Sequence, residues 1–381
     1  MRIGYFAKTR LPSSAANTIQ TMEMCAAFSD LGHSVTLFVV SETECQISTD
    51  DVFHQYDLAS TFQITYLKIP QSRANRIAYL WSVLAAIGKI RKTLRTHEID
   101  LVYARDVLAC LVAARSGLPT VFESHAPVWE GLVEGLCFKR LLQNQKFRRL
   151  VVISEALKQV YECRFPGIGK RCTVAPDGAR KPETVKQFAT LRGDVSALKV
   201  GYVGHLYQGK GMEIISALGK RMPSTEFHIV GGNPEDIDLW KRNASDNVFF
   251  YGLVPRQELA EYFGAFDVCL LPNQPSVSAS GASFAKRVTD IGTFTSPLKM
   301  FEYMAYGKAI IASDLPILRE VLTDRSALLV SPCDIEGWKR AIDVFSKKVS
   351  REEFGRVAFH QFLRNYTWDH RARLVLSNLG P

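Results

Sequence analysis

The chain has 381 residues, 47% hydrophobic and 22% charged, and a net charge of +9 at pH 7. That length exceeds one ordinary core and suits two domains, and the composition excludes disordered, collagenous and disulfide-stapled classes. The eight cysteines form no C-x-x-C pair and the eight histidines are scattered, so neither a disulfide framework nor a zinc cage is expected, and reduced thiols in a cytoplasmic protein fit.

Taken in chain order, the first half alternates β-rich runs with helical patterns. Strands are expected over 3–6, 34–40, 63–68, 101–103, 120–123 and 150–153, and helices over 18–31, 77–96 and 108–116. Strands separated by helices imply a parallel sheet with right-handed crossovers. Because the sequence opens on a strand, no signal peptide is expected. The longest apolar stretch suited to a span, 77–88, falls far short of the ~20 residues a bilayer needs. In helix 77–96 the apolar residues Ile77, Leu80, Trp81, Leu84, Ile87, Ile90 and Leu94 form one stripe and Lys89, Arg91, Lys92 and Arg95 crowd its last two turns; a core-facing helix whose cations suit the C-terminal dipole is preferred to an amphipathic helix on an anionic membrane surface. A second basic run, 138–149, has five cations and no acid. It reads either as an amphipathic helix on an anionic membrane surface or as an ordinary core helix. Arg105 and the run Val121-Phe-Glu-Ser-His125 end strands, where ligands of open α/β sheets gather, although a structural role for His125 competes.

Polar 176–194 is the expected hinge. Beyond it the theme repeats, with strands over 199–203, 226–230, 248–251, 268–271 and 309–312 and helices over 212–220 and 258–264. The stretch Val203-Gly-His-Leu-Tyr-Gln-Gly-Lys-Gly-Met212 leads a strand through glycines into a helix, so backbone N–H groups can approach phosphate oxygens and Lys210 can neutralise them. A Walker A reading fails because Gly211 follows Lys210 where a Mg²⁺-binding hydroxyl would stand. Asp236 and Asp238 follow Pro234 in what reads as a first helical turn, where acids suit the dipole; no metal site is assigned. The run 274–295, rich in Ser, Ala and Gly, is longer than an ordinary connection and reads as a lid, with an irregular insertion beside the site as the competing reading.

Most informative is Ser296-Pro-Leu-Lys-Met-Phe-Glu-Tyr-Met-Ala-Tyr-Gly-Lys-Ala-Ile-Ile-Ala-Ser313. Ser296 can cap a helix with Pro297 at its first position, leaving the N–H groups near Leu298 and Lys299 pointed at an anion. A lysine in that first turn opposes the helix dipole unless something negative lies beside it, so Lys299 points to a bound phosphate, with a solvated lysine as the competing reading. Glu302 shares its face and could hold a ligand or simply pair with Lys299.

This segment resembles the nucleotide-binding signature of glycosyltransferase family 4, in the subgroup written Ser-Pro-x-Lys-x-Phe-Glu-Tyr-Met. The resemblance implies a GT-B fold: two Rossmann-like domains facing across a cleft, 1–178 for the acceptor and 196–362 for the nucleotide sugar. The segment Tyr366-Thr-Trp-Asp-His-Arg-Ala372 resembles the family's C-terminal helix, so 363–381 is expected to cross back to the first domain. Glu302 matches the glutamate that holds the nucleotide ribose, whereas Phe294 stands where a second glutamate holds the donor sugar. Lys210 matches the diphosphate lysine, and His205 stands where an arginine is frequent. Gly231 and Gly232 match the glycine turn at the nucleotide's edge, and Val254 lies in the segment whose backbone reads the base. His125 matches a histidine placed against the donor sugar, with Glu123 orienting its ring. Asn17 and Gln20 lie where many relatives carry a glycine-rich loop and are candidates, with Arg105 and Glu123, for donor or acceptor contact; helix capping explains Asn17 equally well.

The activity implied is transfer of a hexose-type sugar from a nucleotide-diphosphate donor to a glycan or lipid-linked acceptor, with retention of configuration. No cofactor is expected, since the nucleotide sugar is a substrate, and His125, Lys210 and Glu302 are the expected catalytic group. The setting implied is cytoplasmic or peripheral on the inner face of the membrane, in surface-polysaccharide synthesis. A sugar-nucleotide epimerase and a catalytically silent binding subunit are the alternatives. A dehydrogenase is disfavoured because no strand is followed by G-x-G-x-x-G, and no nucleic-acid motif accompanies the positive charge.

Overall fold

The computed structural model describes residues 1–41, 47–59, 61–69, 76–183, 187–277 and 292–379, the side chains of 76 and 77 excepted. Most of the expected lid, 278–291, therefore lies outside the described residues. The chain divides into two compact units, Met1–Pro176 with Trp368–Pro381, and Asp177–Thr367.

The first unit runs β1 (Arg2–Lys8), α1 (Ala16–Asp30), β2 (Ser34–Ser41), α2 (Thr49–Gln55), β3 (Gln63–Lys68), α3 (Arg76–Thr96), β4 (Leu101–Ala104), α4 (Val107–Arg115), β5 (Thr120–Ser124), α5 (Leu132–Leu142), β6 (Phe147–Val152), α6 (Glu155–Arg164) and β7 (Cys172–Val174). Its strands lie in the order β3-β2-β1-β4-β5-β6-β7, every pairing parallel. Crossover helices cover both faces of such a sheet, which is why β2 and β4 bury nearly every side chain along their length. Because β1 pairs with both β2 and β4, the order reverses there, and the crevice at the carboxyl ends of β1 and β4 is where an open sheet of this kind places a ligand.

The second unit repeats the scheme with β8 (Leu198–Val203), α7 (Met212–Arg221), β9 (Thr225–Val230), α8 (Pro234–Lys241), β10 (Val248–Gly252), α9 (Leu259–Ala265), β11 (Val268–Leu271), α10 (Leu298–Ala305), β12 (Ala309–Ser313), α11 (Pro316–Arg319), β13 (Leu328–Val330), α12 (Ile335–Val344) and α13 (Lys348–Asn365). The parallel order is β10-β9-β8-β11-β12-β13, and the reversal falls between β8 and β11. Val200, Tyr202, Ile214, Phe227, Ile229, Leu270, Ile311 and Trp338 form part of its apolar core. Part of the expected hinge belongs to this unit: the Arg192 N–H donates to Tyr251 Oη at 2.9 Å, and its guanidinium lies 4.8 Å from that ring's centroid. Asn233 caps α8 through Asp236 N at 2.7 Å, so Asp236 sits in the first helical turn as its spacing suggested.

The final helix, α14 (Trp368–Leu376), is part of the first unit. Arg149 donates to the carbonyls of Leu374 (3.1 Å) and Val375 (2.8 Å) from Nη1 and to Ser377 (2.6 Å) from Nη2, capping the C-terminal end of α14.

Two readings of the sequence are corrected. The basic run 138–149 is not one helix: α5 stops at Leu142, a turn follows, and β6 begins at Phe147. Neither of its alternatives holds as a single element, because Arg149 is engaged on α14. The stripe of α3 is also not one core face, since Ala86, Ile90 and Thr93 are buried whereas Leu80, Trp81 and Leu84 are exposed.

Candidate active site

The strand ends at the β8–β11 reversal carry the glycine loop that the sequence singled out. Gly209 has φ +84°, and a side chain there would meet the Ser276 carbonyl at 2.2 Å, so only glycine lets the loop pack against the segment after β11. Gln274 N donates to the Gly209 carbonyl at 2.9 Å, closing that contact. Gly231, φ +111°, lies so close to Gly204 that a Cβ would stand 2.4 Å from its carbonyl, and its N–H donates to the Gly252 carbonyl at 2.6 Å. The ends of β8, β9 and β10 are thereby held together, with Gly232 against Leu206 and Val254 two residues before Arg256.

Against this loop stands the start of α10. Tyr303 Oη accepts the Val203 N–H at 2.9 Å, which ties the helix to the last residue of β8. Lys299 sits in the first turn with Nζ 3.7 Å from the centroid of the Tyr202 ring and 3.2 Å from where a Gly204 Cβ would lie. Its ammonium is sealed from solvent and has no hydrogen-bond partner among the described residues, so the solvated-lysine reading is overturned. Burial, followed by the Lys210 charge, pushes the Lys299 ammonium well below the usual lysine range, with Glu302 opposing. Burial lowers Lys210 as well. His205, stacked on Tyr207 at 4.7 Å, is lowered by burial and then by Lys210 and Lys299, which disfavours its charged form.

The capping expected of Ser296 is corrected. Pro297 is the N-cap residue and no side chain caps the helix, while Ser296 Oγ accepts the Asp177 N–H at 2.9 Å. The cap side chain therefore leaves the N–H groups of Leu298 and Lys299 available. Glu302 pairs with Arg256 (3.3 Å) rather than with Lys299. Phe294, where the resemblance called for a glutamate, is buried.

In the first unit a second cluster forms around Glu123, fully enclosed at the end of β5. Gln20 Nε2 donates to its Oε1 at 2.6 Å, His125 Nε2 to the same oxygen at 2.6 Å, Arg371 Nη2 also to Oε1 at 3.0 Å, and the Tyr103 hydroxyl to Oε2. Arg105 Nη1 donates to Gln20 Oε1 at 2.9 Å and to the Asn17 carbonyl at 3.1 Å. Burial alone would raise the Glu123 carboxyl, but Arg371, the His125 hydrogen bond and Arg105 hold it well below the carboxylate range. Gln20 and Glu123 are both sealed in the interior, so their bonds orient Arg105 and His125, which stay partly exposed. Asn17 is not the cap of α1; that position is Ala15.

The description "Glycosyl transferases group 1" fits residues 197–347 of this chain and "Glycosyltransferase Family 4" fits residues 18–180. This chain belongs to the GT-B glycosyltransferases. A sucrose-phosphate synthase from Thermosynechococcus elongatus shares the fold at TM-score 0.69 and 16% identity over 98% of this chain and 96% of that one. So does an S. aureus TarM variant in complex with fondaparinux, α-GlcNAc-glycerol and UDP, at TM-score 0.71 and 12% identity over 100% of both chains. A Klebsiella pneumoniae protein described as an "Uncharacterized 41.2 kDa protein in cps region" is 26% identical over 258 residues, which are 62% of this chain and 66% of that protein.

Two residues of this glycosyltransferase's candidate site escaped the sequence reading. Arg256 follows directly on Pro255, and a cation there opposite Glu302 was the available signal. Arg371 lies inside the recognised C-terminal motif, but nothing local shows that its partner is 248 residues away. Among the described residues, no group of three His, Cys, Asp or Glu side chains could hold a metal ion, and no helix is long and apolar enough to cross a membrane.

Proposed function

We propose that this glycosyltransferase moves a hexose-type sugar from a UDP- or GDP-sugar to a glycan or lipid-linked acceptor, with retention and without a metal, in surface-polysaccharide synthesis at the inner face of the membrane. The observation that carries the reading is the sealed ammonium of Lys299 near a second, half-buried cation, Lys210, whose charge acts on it. Two such cations are unfavourable together until an anion of matching charge arrives, and a nucleotide diphosphate supplies one.

The chemistry follows from where charge develops. The bond from the sugar's anomeric carbon to the diphosphate oxygen breaks with its electron pair going to that oxygen, while the sugar gains oxocarbenium character. Lys210, Lys299 and the first-turn N–H groups of α10 stabilise the departing oxygen. Each donor of this kind is worth about 2.7–4 kcal/mol in the transition state. The acceptor hydroxyl attacks the same face and gives its proton to a leaving phosphate oxygen, so configuration is retained. Glu302, held by Arg256, takes the ribose hydroxyls, and His125, held by Glu123, serves the sugar. The UDP bound to the TarM variant and the cps-region setting of the Klebsiella relative agree with donor class and pathway.

Thermal shift against UDP, GDP and their sugars finds the donor; product stereochemistry by NMR, with EDTA present, reads retention and metal independence. Inversion of the anomeric centre, or activity that EDTA abolishes, would reject those parts of the proposal. A silent binding subunit is favoured by two observations, the buried Phe294 and the presence at 205 of a histidine whose charged form burial disfavours. It would show the nucleotide shift with neither transfer nor donor hydrolysis.

A further inference from the structure

Helices α3 and α5 leave large apolar side chains in water. On α3, Trp81 is 68% exposed and Leu80 and Leu84 are more than half exposed, while on α5 Leu132 is 82% exposed and Leu136 also stands out. Isolated exposed leucines are ordinary, but these five occupy the first two turns or so of two neighbouring helices. The Tyr79 hydroxyl donates to Glu134 Oε1 at 3.4 Å, which brings the first turn of α3 against that of α5.

Both helices then change character in the same direction. Along α3 the exposed positions pass from Leu80, Trp81 and Leu84 to Lys89, Arg91, Lys92 and Arg95, with no acidic residue in the helix. Along α5 they pass from Leu132 and Leu136 to Lys139 and Arg140, and its one acid, Glu134, is the group bonded to Tyr79. At 1.5 Å per residue, Leu84 and Arg91 are separated by about 10 Å along the axis. A membrane interface offers both environments side by side, an apolar layer for the leading side chains and headgroup phosphates for the trailing cations.

We propose that the N-terminal halves of α3 and α5 dock on an anionic lipid bilayer, with Leu80, Trp81, Leu84, Leu132 and Leu136 below the headgroups and the trailing cations among the phosphates. Charge selects this occupant. Six cations follow the apolar turns and one engaged acid accompanies them, so the face complements a negatively charged surface that is apolar beneath. The inference deepens the lipid-linked part of the proposed function, but its test needs no sugar transfer.

Flotation of the full chain with phosphatidylcholine vesicles, with and without phosphatidylglycerol, reads the surface directly. The wild type should bind the anionic vesicles and hardly bind the neutral ones. Arg91→Ala with Lys92→Ala should weaken anionic-vesicle binding about 25-fold, at roughly 1 kcal/mol per cation. Trp81→Ser with Leu84→Ser should remove binding to the same vesicles, while both variants keep the wild-type melting temperature and nucleotide-induced shift. Equal binding to neutral vesicles, or binding unaffected by either variant, would overturn the proposal. So would self-association without vesicles that Trp81→Ser with Leu84→Ser abolishes, because the face would then belong to a second copy. Vesicle binding with every activated sugar refused would leave this surface standing and reject the transfer reading; the reverse pattern would do the opposite.

Discussion

Replacing Lys299 by Met should raise the stability of the ligand-free enzyme while removing its response to nucleotide. The ammonium has lost its hydration, its position over the Tyr202 ring returns only part of that loss, and Lys210 repels it. A desolvated cation–π contact is worth about 2 kcal/mol, whereas taking an ion out of water costs several kcal/mol. Exchanging a poorly compensated buried charge for an apolar side chain of similar length should therefore stabilise by about 1–4 kcal/mol. In a unit of this size each kcal/mol moves the melting temperature by roughly 2–4 °C. Nucleotide diphosphate at a hundred times its dissociation constant adds about 2.7 kcal/mol to the wild type, a rise of roughly 5–11 °C. The Met variant should melt higher without ligand and respond little to it. The pH dependence has a definite sign. Between the depressed folded value and the ordinary lysine value the unfolded chain holds a proton the folded chain lacks, so wild-type stability climbs with pH across that window and the Met variant loses the climb. A variant that melts lower and keeps the full nucleotide shift would show that Lys299 is a structural cation and refute the anion-site argument.

Four further outcomes follow from the same geometry. Lys210→Ala should lower turnover by about a hundredfold or more, measured as sugar transfer with the nucleotide donor, while circular dichroism shows the fold intact. Glu302→Gln should raise the donor KM more than it lowers kcat if the carboxylate serves the ribose, and Arg256→Ala should shift the same parameter in the same direction because it removes the 3.3 Å pair. Arg371→Met should destabilise the first unit by about 3–5 kcal/mol, read by denaturant unfolding, because it strands the Glu123 carboxylate in the interior. Glu123 has a depressed folded value, so its contribution is present above the ordinary glutamate range and lost as pH falls through the folded value; Glu123→Gln should flatten the acid limb of stability against pH.

What the sequence disclosed and what it withheld divide along one physical line. The strands were legible because a parallel sheet covered on both faces demands unbroken apolar runs, and β1, β2, β8, β11 and β12 supply them within their own few residues. The glycine loop and the helix start at Leu298 were legible for the same reason: their chemistry is local, and a lysine in a first helical turn is conspicuous without any partner in view. Burial of an individual side chain is not local. The stripe on α3 was read by period alone, but what covers a helix face is decided by neighbours hundreds of positions distant or by none at all, which is how Leu80, Trp81 and Leu84 came to stand in water. The run 138–149 misled in the complementary way, because composition took five cations as one surface while the fold turned Arg149 inward to the end of α14.

The Glu123 cluster shows how that same limit bears on function. Four of its members, Gln20, Arg105, Glu123 and His125, were legible one at a time as residues at strand and loop ends, and for His125 a structural role competed. Only their assembly changes the weighing. A buried carboxylate that accepts from Gln20, Tyr103, His125 and Arg371 together orients two groups, His125 directly and Arg105 through Gln20, that remain partly exposed. Arg371 belongs to the last helix of the chain, so α14 and His125 share one carboxylate oxygen. Arg371→Lys tests that coupling with less damage than Met, since a lysine keeps the charge but cannot hold Glu123 Oε1 and the Pro176 carbonyl at once. Its kcat should fall with nucleotide affinity unchanged, and the pH profile of kcat should move with it. A Lys variant that retains wild-type kcat and profile would reduce Arg371 to a fastening of the fold and remove the link from the last helix to the imidazole.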